Sequence, residues 1–243
     1  QVRVFGKMAG KGYLYKGLKS VSWCPNCETA LAEAEVEYAD HTSNSIYVKF
    51  AVDAASKSKL PAAVQDKEVA FVIWTTTPWT LPANLGVALH PDFVYEFLQV
   101  EDEPHVLVVA ESLKNAFLSA AGKAEKAVQV LATALGKELE LLECRHPFMD
   151  RLSRVINGDH VTAEAGTGCV HTAPGHGPED FEIGKVYQLG VLSPVDSRGI
   201  FTEEAGIFAG QRFDKANPLV VEHLKEKGVL LQHSTFSHSY PHC

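Results

Sequence analysis

The run Glu68-Val69-Ala70-Phe71-Val72-Ile73-Trp74 narrows the fold more than any other part of the chain. After one glutamate it shows no polar alternation. It is too short for a helix and rich in β-branched and aromatic residues, so it reads as a strand covered on both faces. It runs directly into Thr75-Thr76-Thr77-Pro78-Trp79-Thr80-Leu81-Pro82-Ala83-Asn84. Three threonines at a strand end send hydroxyls to alternating faces, and Pro78, lacking a donor, ends regular pairing. Threonines also suit strands and cap turns with no chemical role. A buried strand, however, needs no exit as rigid as one holding two prolines and Trp79.

A second stretch has the same character. Gly166-Thr167-Gly168-Cys169-Val170 leads into His171-Thr172-Ala173-Pro174-Gly175-His176-Gly177-Pro178-Glu179-Asp180. Gly175 and Gly177 permit turns where a side chain would clash. Pro178 suits a first helical position and puts Glu179 and Asp180 in the first turn, where free N–H groups keep a carboxylate ionised. Such a carboxylate is a ready partner for a cationic amine, with Glu179 pointing elsewhere and exposed. Alternatively, His171, His176 and Asp180 could converge on one metal ion as a hydrolase centre. The Gly-Pro interruptions oppose that, because they prevent presentation from one helix face.

Around these stretches the alternation predicts a hairpin of 33–38 and 45–52 across a polar turn at 39–44, then a surface loop over 54–67. Strands are predicted at 85–89, 94–100, 105–109, 128–135, 153–156 and 160–163. Helices are predicted at 110–121, at 178–189 and at 215–227, the last with Leu219, Val220 and Leu224 inward. Gly122, Gly190 and Gly228 stand as their stops. Many short strands with few helices predict a mixed α/β (α+β) fold, a closed β-barrel core with decorating helices.

The net charge of −8 opposes nucleic-acid binding by bulk positive charge, so any nucleic acid is held locally or by other parts of a larger protein. No apolar run is long enough to span a membrane and no leader pattern opens the chain, so the expected location is cytoplasmic. The missing initial Met is expected of an excised fragment. Five cysteines without secretory context point to thiol or metal use. Cys24-Pro25-Asn26-Cys27 has zinc-knuckle spacing, and Cys243 could open a second half. Two plain thiols are the other reading.

Together, the sequences from Trp74 to Asn84 and from Gly166 to Asp180 closely resemble the inserted editing (CP1) domain of bacterial-type isoleucyl-tRNA synthetases. Cys24-Pro25-Asn26-Cys27, Ala30 to Tyr38 and Ser239-Tyr240-Pro241-His242-Cys243 resemble the stalk that joins this insertion to the catalytic core. The resemblance covers essentially the whole chain. Related valyl and leucyl enzymes carry Thr-Thr-Arg-Pro at the threonine strand, whereas Thr77-Pro78-Trp79 favours the isoleucyl branch. The HIGH and KMSKS motifs of amino-acid activation are absent.

The resemblance implies a stalk from 1–44 and 229–243 around an editing domain from 45–228. The activity implied is hydrolysis of valine from isoleucine tRNA, and of valyl-adenylate. The implied partners are the charged tRNA and the rest of the synthetase in cis, with no membrane. One methylene yields only about 1–3 kcal/mol of discrimination, a limit for which isoleucine against valine is the standing example. Asp180 is implied as the anchor of the valine ammonium and His171 as the wall that excludes isoleucine. Thr75, Thr76 and Thr77, with Thr80, are implied to meet the ester, terminal adenosine and water. Asn84, Gly175 and His176 are expected near the substrate, with Trp79 there or in packing. Editing needs no cofactor, and structural zinc is expected only at Cys24, Cys27 and Cys243. A domain that merely docks the tRNA acceptor end is the non-catalytic rival.

Overall fold

The computed structural model describes all residues from Gln1 to Cys243. In chain order the strands are β1 (Ser22–Cys24), β2 (Thr29–Leu31), β3 (Glu37–Ala51), β4 (Val69–Thr75), β5 (Gly86–Leu89) and β6 (Val94–Val100). They continue as β7 (Val106–Ala110), β8 (Val128–Leu135), β9 (Glu143–Arg145), β10 (Leu152–Asn157), β11 (Cys169–Thr172) and β12 (Leu230–His242). The helices are α1 (Val2–Gly10), α2 (Lys114–Ala120), α3 (Pro178–Val186) and α4 (Phe213–Glu226).

Strand β4 is central, as its composition requires. It pairs antiparallel with β3 and parallel with β7 inside a six-stranded sheet of order β12-β3-β4-β7-β6-β8. Its odd positions Val69, Phe71 and Ile73 enter the main core with Ile46, Phe50, Val87, Val155, Val220 and Leu224. Its even position Val72 packs on the other face with Tyr47, Leu107 and the α2 residues Phe117 and Leu118. Truncating a fully buried aromatic such as Phe71 to alanine would cost about 3–5 kcal/mol.

The mixed α/β class holds, but the barrel does not close. A separate four-stranded sheet, β11-β5-β10-β9, packs against the first. One bridge, Val52 to Cys144, and the bond from Asp53 N–H to Glu143 O at 2.8 Å join the two sheets at one corner. Strands β8, β9, β11 and β12 each have a single ladder partner. Closure would require those edges to pair, and β12 instead follows β3 away from the body.

That pairing also overturns the predicted hairpin. Residues 37–51 form one strand because β12 supplies hydrogen-bonding partners along most of it, from Leu230↔Val48 to His242↔Glu37. The polar stretch at 39–44 therefore lies within a two-stranded ribbon and makes no turn. Residues 54–67 contain two 3₁₀ turns, Ala54–Lys59 and Ala62–Val64, which bury Ser56, Leu60 and Val64. The predicted strand at 160–163 is a turn and loop with Val161 as its buried plug. In α4, Ala216, Val220 and Leu224 recur every four residues on the inner face and leave Leu219 46% exposed.

Candidate active site

The threonine-rich exit of β4 and the turn after β11 meet, because β11 pairs with β5 and β5 follows that exit directly. The 3₁₀ segment Pro78–Ala83 makes the reversal, and Leu85 N–H donates to Thr172 O at 3.0 Å. Upstream, the Thr167 hydroxyl donates to Val72 O at 2.5 Å, tying the approach to β11 onto β4. Gly168 has φ +75, and a Cβ there would lie 2.5 Å from the Ala110 Cβ.

His171 is the centre of the arrangement and is buried. Asn84 Nδ2 lies 2.7 Å from its Nδ1, and Thr80 Oγ1 lies 2.9 Å from its Nε2. Asn84 Nδ2 also donates to Gly86 O at 2.8 Å, while Asn84 Oδ1 accepts from Ser153 Oγ at 2.6 Å. Thr80 Oγ1 donates to Thr77 O at 2.9 Å. These directions leave one assignment. Asn84 donates to His171 Nδ1, and His171 Nε2–H donates to Thr80. Burial pushes the imidazole down to about 3, so it is neutral.

Asp180 lies in the first turn of α3, just after β11. Its Oδ2 accepts the Ala173 N–H at 2.9 Å. Burial raises its pKa and outweighs the lowering by that bond. A Cβ on Gly177 would come within 2.8 Å of Asp180 Oδ2, so the turn needs glycine there. Glu179 is exposed. At Gly175 a Cβ would meet the Leu192 carbonyl oxygen at 2.0 Å, which makes that glycine a backbone contact.

The threonines divide into two kinds. Thr75 and Thr77 hydroxyls bond one another at 3.2 Å, and Thr77 N–H donates to Thr75 Oγ1 at 3.1 Å. Half-buried Thr76 has no such tie, which leaves its hydroxyl free for a ligand. Trp79 is engaged in packing: its ring meets His176 edge-on at 5.0 Å and Phe213 at 4.8 Å, and its backbone N–H donates to Asn217 Oδ1 at 3.0 Å. His176 has a buried Nε2 without a partner, and burial pushes its pKa down to about 4.

A metal centre at His171, His176 and Asp180 is not supported. The only group of three metal-capable side chains close enough to share an ion is Cys24, Cys27 and Cys243. Both His171 nitrogens are already engaged. Among the cysteines, all three sulfurs lie within 4.8 Å of one another, and Cys27 Sγ is 3.8 Å from Cys243 Sγ. Four thiolates around Zn²⁺ at about 2.3 Å would stand about 3.8 Å apart, so the three thiols fit three corners of such a site. Hydrogen bonds with the Cys24 and Cys27 thiols push Cys243 up to about 11, while the Cys27 backbone N–H holds Cys24 below its ordinary value.

Sequence reasoning missed Ser153 and Arg151 of the β10 region. Arg151 Nε donates to Asn84 O at 3.1 Å, and its Nη2 also donates to Pro82 O. No local pattern marks either residue, because the parallel β5–β10 register brings them beside Asn84.

The family and fold that the chain shares with known proteins make it an insertion domain of an aminoacyl-tRNA synthetase. The chain belongs to the class I tRNA synthetases (I, L, M and V), whose family model matches residues 1–227. Over its whole length it is 56% identical to the isoleucine–tRNA ligase of Desulforamulus reducens and 55% identical to that of Moorella thermoacetica, covering 25% of each. It is 54% identical to the isoleucine–tRNA ligase of Enterococcus faecalis, again over 25% of that protein. The chain thus spans about a quarter of the length of the curated relatives it matches. In three dimensions it is similar to the crystal structure of GlLeuRS-CP1, with TM-score 0.62 and 15% identity, over 78% of this chain and 99% of that one. At that identity the likeness is one of fold. By sequence the chain falls with the isoleucine–tRNA ligases, and by fold with CP1.

Proposed function

We propose that this domain edits: it hydrolyses the ester of valine wrongly attached to isoleucine tRNA, and accepts valyl-adenylate in the same site. The observation that carries this reading is the shared exit of β11. There, Thr80 and Asn84 fix His171, and Asp180 is held on Ala173 N–H two residues further on. The Asp180 oxygen not used by Ala173 can take the α-ammonium of the amino acid by a charge-assisted bond. His171, neutral and bonded at both nitrogens, forms a wall that cannot swing aside for a larger side chain. Rejection of isoleucine then costs no tRNA, because the correct product never enters.

Thr76 offers its free hydroxyl to the ester or the attacking water, and Thr75 and Thr77 brace it. A threonine hydroxyl is a poor base near neutral pH, so the threonines position and polarise water without forming a covalent intermediate. The rest of the ligase in cis supplies most of the tRNA affinity, consistent with the chain's net charge of −8. No helix is long and apolar enough to cross a membrane, and the reading places the domain in the cytoplasm. At the chain ends Cys24, Cys27 and Cys243 would hold a structural zinc that braces the stalk and has no part in hydrolysis.

The test is Asp180→Ala, assayed for deacylation of Val-tRNA(Ile) and Ile-tRNA(Ile). Valine release should fall about 10- to 100-fold, the usual worth of a hydrogen bond to a charged group, while the fold survives. In the unsubstituted chain, valine release should decline on acidification through a pKa above the ordinary carboxylate value, because burial raises that of Asp180. Undiminished activity in the variant would remove Asp180 from the site. A chain that binds the tRNA acceptor end but leaves Val-tRNA intact would be a docking module.

A further inference from the structure

We infer that one face of the β3–β12 ribbon is a stacking platform for the unpaired 3′ end of tRNA, which it leads to the threonine exit of β4. That the strand is a tRNA end rests on the editing reading; that the face takes single-stranded RNA does not. Rings form a continuous stripe there. Trp74, the residue before Thr75, meets Phe236 edge-on at 6.0 Å. Along β12, Phe236, His238, Tyr240 and His242 then follow one another at 5.5, 5.7 and 5.8 Å, and His41 of β3 lies 5.1 Å from Tyr240. Strand alternation puts them all on one face, since the β12 rings stand at every second residue and His41 pairs directly with His238. Phe236 is 43% exposed, and His41 and His242 are exposed. From Phe236 to His242 the stripe extends about 20 Å, room for several unpaired nucleotides.

Bracing of the ribbon does not account for these rings. Phe236, His238, Tyr240 and His242 touch along β12 itself, and such contacts do nothing to hold β12 to β3. The backbone ladder does that, helped by Ser43, whose Oγ lies 2.9 Å from His238 Nε2. Opposite Tyr240 and Phe236 stand Ala39 and Ser43, side chains too short to cover a ring.

Charge points to the occupant. The chain carries 30 acidic residues, yet no ribbon residue on this face from Ser45 to Ala39 is acidic. Asp40 pairs with Ser239 on the reverse face, and Glu37 lies opposite His242 at the far end. A row of rings cleared of carboxylates suits an RNA strand, whose bases stack on Phe, Tyr, Trp and His whatever their sequence and whose phosphates acidic groups would repel. The near end of the stripe sets the direction. Trp74 stands two residues before Thr76, so the last nucleotide enters the site and the preceding ones lie back along the ribbon.

The test titrates the 243-residue chain with a fluorescent single-stranded RNA tetramer and with a blunt RNA duplex, both at low salt. The single strand should bind and shift the NMR ring signals of Phe236, His238 and Tyr240, and the duplex should leave them in place. Phe236→Leu with Tyr240→Leu keeps apolar bulk on the ribbon but removes two π-faces, and should weaken binding about tenfold or more. Phe236→Tyr with Tyr240→Phe keeps both faces and should bind as the native chain does. With Val-tRNA(Ile) the leucine variant should raise KM about tenfold at unchanged kcat. Equal binding by the leucine variant and the native chain would overturn the inference. So would failure of the single strand to bind, which would leave the stripe to a protein partner. If the native chain binds the strand through these rings but releases no valine, the editing reading fails and the platform stands.

Discussion

The region around His171 and the cysteine cluster at the chain ends hold reactive side chains by opposite means. Around His171 both ring nitrogens have partners, the groups are buried, and two strands of the four-stranded sheet contribute together with the exit of β4. At the stalk, Cys27 and Cys243 are exposed and meet only through their thiols, while the turn that carries Cys27 is held to the body by exposed side-chain bonds, Trp23 to Ser197 O and Arg212 to Asn26. The first region is fixed by desolvation and hydrogen bonding; the second brings three sulfurs together in a largely solvent-facing place, where the proposed zinc would tie them. The proposed catalytic geometry lies in the part that folding itself organises.

The largest effect that would sharpen this contrast is acid instability of the buried region. His146 and His171 are pushed down to about 3, and His176 to about 4, by burial, from an ordinary 6.5. The unfolded chain therefore takes up these protons first. The stability they contribute is whole above about pH 6.5 and is lost as the pH falls toward about 4. Each histidine contributes a slope of about 1.4 kcal/mol per pH unit in that window. Urea unfolding measured between pH 7 and 4.5 should show this slope, and a flat profile would mean the imidazoles are not desolvated.

Next in size is Asn84→Ala, which strands Gly86 O, His171 Nδ1 and Ser153 Oγ in the interior. A loss of about 2–4 kcal/mol is expected in the denaturant midpoint. Cys27→Ser at the exposed stalk should change the same midpoint by no more than about 0.5 kcal/mol. Comparable losses would break the distinction between the two regions.

Zinc separates them more finely. Elemental analysis should find about one zinc per chain, and a chelator should remove it while leaving valine release and the main unfolding transition unmoved. Loss of hydrolysis on chelation would tie the stalk to the chemistry. The smallest effect is expected at Leu219→Gln, within about 0.5 kcal/mol, although Leu224→Ala further along α4 should cost about 2–5 kcal/mol. Thermal unfolding of the pair tests whether only the inner stripe of that helix carries stability.

The sequence was informative wherever a signal was local. The unbroken apolar run 69–74 is a central strand covered on both faces, and Gly122 and Gly228, at φ +66 each, follow the ends of α2 and α4. Thr80, Asn84 and His171 lie together in the structure as the paired motifs implied. Signals that depend on a distant partner were misread. The 33–52 hairpin failed because the true partner of β3 is nearly two hundred positions away, and barrel closure failed because edge pairing leaves no local mark.

The chain's own order of residues thus determined the two-sided strand, the chemistry available at the two rigid turns and the cluster of thiols. Only the tertiary structure decided which hydroxyl is free, that Asp180 answers to Ala173 and burial, and that Ser153 stands behind Asn84. Residue type sets which bonds a group can make. Which bonds it does make depends on what remains within 3 Å once water has been excluded, and that is a property of the packed whole.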